Sequence, residues 1–242
     1  MPRNGEHRRA ELVTSLAAVR ARIARACDEA GRDPRDVTVV AVTKTYPASD
    51  IATLAGLGVL DIGENKDQEA RAKIVDLAAF ELPEPVRWHI VGQVQTNKAR
   101  SVASYAHAVH SLDRPKLAAA LDAAVTAAGR REPLGVFIQV SLDGDPQRGG
   151  VPIDRFVPLA DLVGSATGLA LLGVMAVPPL GADPARAFAQ LAELSVRLRA
   201  EHPQASAISA GMSDDLEAAV RAGATHVRVG TALLGRRSPV FG

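Results

Sequence analysis

A chain of 242 residues that is 47% hydrophobic and 23% charged has the size of one α/β barrel and enough apolar residues to fill its core. Twenty-eight basic residues against 27 acidic ones give no drive toward nucleic acid or an anionic membrane, and 3% aromatic content argues against base-stacking platforms. Cys27 is the single cysteine, so an intrachain disulfide is excluded and a reducing compartment is expected.

Met1 to Arg9 is polar and charged, with no apolar signal-peptide core. Leu12, Leu16, Val19, Ile23 and Ala26 then recur at helical spacing, and Gly31 stops that helix. Cys27 falls in the same pattern and reads as a small buried hydrophobe. Eight short apolar runs follow: Val37–Val42, Val59–Ile62, Arg87–Val94, Ala108–Leu112, Leu134–Leu142, Leu169–Val177, Ala205–Ala210 and His226–Leu233. None alternates cleanly with polar residues, as expected of strands buried on both faces. Amphipathic segments separate them: Ser49–Leu57, Asn65–Phe80, Asn97–Tyr105, Arg114–Ala128, Ile153–Val163, Pro184–His202 and Asp214–Ala222. Such alternation predicts parallel strands with right-handed crossovers. An open doubly wound sheet fits the same pattern. The even repeat and the polar motifs at most strand ends favour a single (β/α)8 barrel spanning 1–242, with an extra N-terminal helix. The apolar runs are too short to span a bilayer, so a cytoplasmic protein with no membrane partner is expected.

In such a barrel, chemistry gathers where strands end. The first strand runs into Thr43-Lys44-Thr45. A lysine leaving an apolar strand has an amine suited to attack a carbonyl, although a lone lysine there more often reaches solvent. The second strand delivers Gly63-Glu64-Asn65 with Gln68 and Glu69. The third delivers Trp88-His89 and then Gly92 to Lys98, with Asn97 expected as a helix N-cap. His89 reads as a satisfied core histidine. Gln139 and Ser141 end the fifth strand, before a Gly- and Asp-rich rim loop at Asp143–Gly150. Met175 to Pro179 end the sixth.

The strongest signal closes the chain. Ser209 to Asp215 and Arg228 to Ala232 place small residues at two adjacent strand ends. Their free N–H groups, with the hydroxyls of Ser213 and Thr231, suit an anion cradle. Asp214 and Asp215 read as outward-facing residues of the next helix's first turn. Arg228, inside a strand, needs an acceptor: a ring nitrogen, a phosphate, or an acid such as Glu64. A Schiff-base lysine with a phosphate cradle implies a phosphorylated aldehyde or ketone. Pyridoxal 5′-phosphate and the sugar phosphate of a lysine-dependent aldolase both satisfy this. No metal site is expected.

The motifs together resemble the pyridoxal phosphate homeostasis proteins, also called the YggS/PROSC-like family. They are Ala41-Val42-Thr43-Lys44, Gly63-Glu64-Asn65 with Gln68-Glu69, Trp88 to Lys98, Gly173 to Pro178, Gly211 to Ala219, and Val227 to Arg236, in the family's order. The resemblance implies a fold like the barrel domain of alanine racemase, with the cofactor linked to Lys44. It implies phosphate held by the segments matching Ser213 and Gly230-Thr231, with Asn65 and Arg228 near the cofactor and Met212 among the cofactor-binding residues. Ser141-Leu142-Asp143-Gly144-Asp145 and Arg148-Gly149-Gly150 depart from the family's usual Asn-containing and Lys-Gly text, which puts a cofactor contact from that loop in doubt. Barrel racemases carry a second domain that brings a Tyr or Cys to the cofactor. Here only Leu233 to Gly242 follow the last strand, and the tyrosines are Tyr46, expected in rim packing, and Tyr105. The expectation is therefore a monomeric protein of vitamin B6 homeostasis that holds the cofactor as a reversible Schiff base and passes it to apo-enzymes, with no robust catalysis. A small amino-acid racemase and a lysine Schiff-base aldolase are the alternatives.

Overall fold

The computed structural model describes residues 3–145 and 148–235. Helix α1 (Arg3–Glu29) leads the chain and ends just before Gly31. Eight strands follow: β1 (Thr38–Val42), β2 (Asp61–Glu64), β3 (Arg87–Ile90), β4 (Ala108–Leu112), β5 (Leu134–Gln139), β6 (Leu169–Met175), β7 (Ala207–Ser209) and β8 (His226–Val229). Each pairs in parallel with the next, and β8 pairs with β1 through Thr38↔His226 to Ala41↔Val229, so the sheet closes into a barrel. The open-sheet alternative is thereby excluded.

Helices α2 (Ala48–Ala55), α3 (Asp67–Leu77), α4 (Ala99–Ala103), α5 (Pro115–Ala127), α6 (Phe156–Gly164), α7 (Pro184–Glu201) and α8 (Leu216–Arg221) connect the strands, and α9 (Thr231–Leu234) follows β8. Local chemistry sets their starts. Pro115 and Pro184 stand in the first turns of α5 and α7, and Asp183 caps α7 by accepting from the Ala185 N–H at 3.0 Å. No helix among the described residues is long and apolar enough to cross a membrane.

The strands are shorter than the apolar runs that announce them. β3 ends at Ile90 rather than Val94, and β8 ends at Val229 before the chain coils into α9. The surplus residues Val94, Leu233 and Leu234 are still buried, packed into the apolar layer between sheet and helices. Apolar character marks burial, and only some of it belongs to the sheet. Asn97 is a second correction. It lies inside a 3-10 turn, Thr96–Lys98, whose capping position is Gln95 and carries no side-chain capping bond.

Two apolar zones hold the fold. The larger lies between the barrel and its helices and includes Leu12, Leu16, Val19, Ile23, Ala26 and Cys27 of α1. The smaller, Ala108, Phe137 and Met175 with Leu172, forms a separate apolar cluster on strand residues. The β5–β6 register slips between Val136 and Phe137, leaving Leu172 unpaired. Gly173 follows at φ 156°, where a Cβ would fall 1.8 Å from the Ala207 carbonyl oxygen of β7. Only glycine permits that approach.

Helix α1 packs on α2, α8 and α9. Arg22 makes paired bonds to Glu217 at 2.6 and 2.7 Å. Arg32 donates to the carbonyls of Val220 and Ala224 at 2.5 and 2.9 Å. Arg8 bridges buried Asp50 and the Leu234 carbonyl at 2.7 and 3.0 Å.

Candidate functional site

Lys44 leaves β1 in a turn beside Thr45, which adopts φ 67° without being glycine. That left-handed turn is strained and must be held by its surroundings. Behind it lies a buried cation. Lys73 of α3 donates to the Thr43 carbonyl at 2.7 Å, to Glu64 at 2.6 Å and to Glu69 at 2.9 Å. Thr43 adds its hydroxyl to the same Glu64 oxygen at 2.5 Å, and Glu69 accepts the Thr45 N–H. The cluster thus grips both flanks of Lys44. Burial pushes the Glu64 carboxyl up against the pull of Lys73 and Thr43, and its second oxygen has no partner among the described residues. Lys44 itself is exposed, and its amine makes no hydrogen bond or ion pair with the described residues.

At the ends of β7 and β8 the backbone supplies donors. Gly211 at φ 89° turns the chain so tightly that a Cβ would meet that of Ala219 at 2.6 Å. The amides of Ser213, Gly230 and Thr231 find no acceptor among the described residues. The Ser213 hydroxyl accepts from the Ala232 N–H at 3.0 Å and so joins the two strand-end segments. No carboxylate spoils this donor set. Asp214 is exposed, and Asp215 is turned back onto the Met212 N–H at 2.6 Å. Such a concentration of uncommitted donors suits an anion.

Arg228 is 5% exposed. It donates to the Ser209 hydroxyl at 2.6 Å and to the Ala176 carbonyl, just past the end of β6, at 3.1 Å. Burial lowers its guanidinium to about 10, partly offset by Asp215, so it stays a cation at neutral pH. The pairing with Glu64 weighed for it does not occur, because Glu64 is committed to Lys73. Asn65 is half-buried, and its side-chain amide makes no bond to the described residues. Beside it a cavity of about 450 Å³ opens, lined by Lys66, Gln68, Gln93, Gln95 and Lys98.

Other expected residues serve the scaffold. His89 is buried and bonded to Asp61 and His110, each at 2.9 Å, as a core histidine should be. Gln139 and Ser141 tie down the rim loop, through the Arg148 carbonyl at 3.3 Å and the Gly144 N–H at 3.0 Å. Tyr46 donates to the Gly235 carbonyl at 2.5 Å and Tyr105 to Asp67 at 3.2 Å. Cys27 is buried in α1. Residue Arg236 of the last motif lies outside the described residues.

Residues 14–238 match the family model for the N-terminal domain of alanine racemase. The pyridoxal phosphate homeostasis protein of Mycobacterium tuberculosis is 47% identical, over 95% of this chain and 94% of that protein. That of Escherichia coli is 35% identical, over 94% and 97%. Among solved structures, PipY of Synechococcus elongatus with PLP bound aligns with a TM-score of 0.80 and 30% identity, over 93% of this chain and 100% of that one. D-threonine aldolase from Filomicrobium marinum, at 19% identity and a TM-score of 0.68, shares the fold.

Proposed function

The chain belongs to the pyridoxal phosphate homeostasis proteins, within the family of alanine racemase N-terminal domains, and from that premise we propose that it is a pyridoxal 5′-phosphate-holding protein with Lys44 as its attachment point. The observation that carries the reading is the pairing of an unengaged amine at the end of β1 with unengaged amides at the ends of β7 and β8. The donor set fits the cofactor: uncommitted N–H groups for a phosphate dianion, and an amine for an aldehyde. When bound, the cofactor supplies an aldehyde that condenses reversibly with a primary amine.

The chain's own residues divide the work. Ser213, Gly230 and Thr231 bind the phosphate through backbone N–H groups, and Thr231 adds its hydroxyl. Met212 lies alongside. Lys73 and Glu69 hold the Thr43–Thr45 turn so that the Lys44 amine stays at the mouth. Asn65 and Arg228 flank the ring.

Neither tyrosine is offered as an acid, since both hydroxyls are committed elsewhere. That favours a holder in vitamin B6 homeostasis over a racemase. Release to apo-enzymes proceeds by exchange of Lys44 for a partner's lysine, or by water. The protein acts as a monomer in the cytoplasm. Borohydride reduction of loaded protein followed by peptide mass spectrometry is expected to find the adduct on Lys44, and Lys44→Ala is expected to lose it and the visible absorbance. Protein that binds no added pyridoxal phosphate, or an adduct on another lysine, overturns the reading. Fast α-proton exchange of alanine with turnover overturns the holder in favour of the racemase.

A further inference from the structure

A line of polar side chains crosses the barrel interior, and apart from Arg228 its members have none of the roles above. Arg87, the first residue of β3, bonds Asp61, the first residue of β2, through Nε at 2.8 Å and Nη2 at 2.6 Å. Asp61 Oδ1 meets His89 Nε2 at 2.9 Å. His89 Nδ1 meets His110 Nε2 of β4 at 2.9 Å, and His110 Nδ1 meets Ser209 Oγ of β7 at 2.7 Å. Ser209 Oγ accepts from Arg228 Nη1 of β8 at 2.6 Å. The line therefore starts where strands begin and ends where they finish, beneath the mouth. Each member from Asp61 to Arg228 is at most 7% exposed. Phe137 of β5 stacks on His110, with ring centroids 4.4 Å apart, and keeps its flank apolar.

The hydrogens on this line have one consistent order. Arg228 can only donate, so Ser209 accepts. Burial holds His110 well below the usual imidazole range, so it carries one ring hydrogen. The Asp61 carboxylate can only accept, so His89 Nε2 carries a hydrogen. If His110 bore its hydrogen on Nδ1, His89 would need hydrogens on both ring nitrogens. That places a buried cation against Asp61, which the exposed Arg87 already pairs. With the hydrogen on Nε2, every donor points from Arg228 down to Asp61 and no added charge is needed. The Ser209 hydrogen then goes to His110, and its oxygen is left for Arg228. Arg228 Nε–H has no acceptor among the described residues.

We propose that the buried line Asp61–His89–His110–Ser209 is the positioning device for Arg228, committing the Ser209 oxygen as its acceptor and aiming a fixed cation at the group held in the barrel mouth. His110 and Ser209 are positioning residues that touch no ligand. The proposal rests on the cofactor reading above, and its test is chosen to separate the two. Nitrogen NMR of histidine-labelled wild-type protein reads the tautomers without any ligand or variant. The expected result is the Nε2–H form at both His89 and His110. A hydrogen on His110 Nδ1 overturns the order of the line.

The second arm uses protein loaded with pyridoxal phosphate. Ser209→Ala and His110→Phe are expected to keep the Lys44 adduct, shift its visible absorption maximum and weaken cofactor binding about tenfold. Asp61→Asn, at the far end, is expected to shift the maximum in the same direction by less. Spectra of all three that superimpose on the wild type overturn the proposal. If wild-type protein takes up no cofactor, the cofactor reading fails while the NMR arm still tests the line. A variant that does not fold leaves the NMR arm and the other two to decide.

Discussion

At the residue scale, what distinguishes Lys44 is how it is held. The strained turn at Thr45 is backed by Lys73, and Lys73 is the one cation among the described residues that contacts Glu64. Lys73→Ala leaves the Glu64 carboxylate buried without a counter-ion, a change worth about 3–5 kcal/mol. Denaturant unfolding is expected to show a loss of that size, and a loss below about 1 kcal/mol contradicts the assigned role. Ser213→Ala removes the acceptor of the Ala232 N–H and the link between the two strand ends. It is expected to weaken phosphate binding about tenfold, near the 1–1.5 kcal/mol of one lost hydrogen bond, with little change in thermal midpoint. Titration with inorganic phosphate or cofactor measures it. The candidates Lys44, Arg228 and the β7 and β8 end amides could be named from the sequence because each lies within a few residues of a strand end, where barrel chemistry is expected. Lys73 was not. It sits mid-helix in a polar-looking segment, and only the fold turns it inward to 6% exposure.

At the element scale, strand identity was legible and strand length was not. A run such as Leu169–Val177 is apolar throughout, yet its strand stops at Met175, and the change from strand to loop leaves no mark in composition. The polar line through the barrel was illegible for a related reason. Its members come from five strands, and their common inward direction depends on register across the closed sheet. His89 alone offered a hint, as a histidine inside an apolar strand. Gly173 shows how tightly one register depends on another. Gly173→Ala drives a Cβ into the β7 backbone just before Ser209. It is expected to cost at least about 3 kcal/mol, at the exceptional end of single substitutions. Thermal unfolding reads this, and an unchanged midpoint contradicts the close approach.

At the scale of the whole molecule, the barrel interior makes stability depend on acid. Burial holds His110 well below the ordinary imidazole value of 6.5 and lowers His226 to about 4. An unfolded chain binds these protons near pH 6.5, so between about 6.5 and 4 it carries more protons than the folded one. Stability is therefore complete above about pH 6.5 and falls as the pH drops toward about 4. For His226 the full shift corresponds to roughly 3 kcal/mol, reduced by its partial exposure. Asp61 acts in a lower window. Burial opposes its ionisation, but bonds from Arg87 and His89 prevail and hold it below the carboxylate range. Its contribution is present above about pH 4 and is lost below that. Thermal midpoints measured from neutral pH down to about pH 4.5 are expected to fall steadily, and less so in His226→Gln. A midpoint constant over that range contradicts the buried neutral histidines.

The grip of α1 on α8 and α9 also has a consequence in time. A chain leaving the ribosome presents α1 well before α8 and α9, yet the partners of Arg22, Arg32 and the second bond of Arg8 lie beyond residue 216. Loop closures that long are slow. The donor amides of Ser213, Gly230 and Thr231 lie in the same stretch as those partners. Lys44 is thus made well before the amides proposed to hold a phosphate beside it. On the proposed reading, selective capture of the ligand begins only after residues 213–231 have been made.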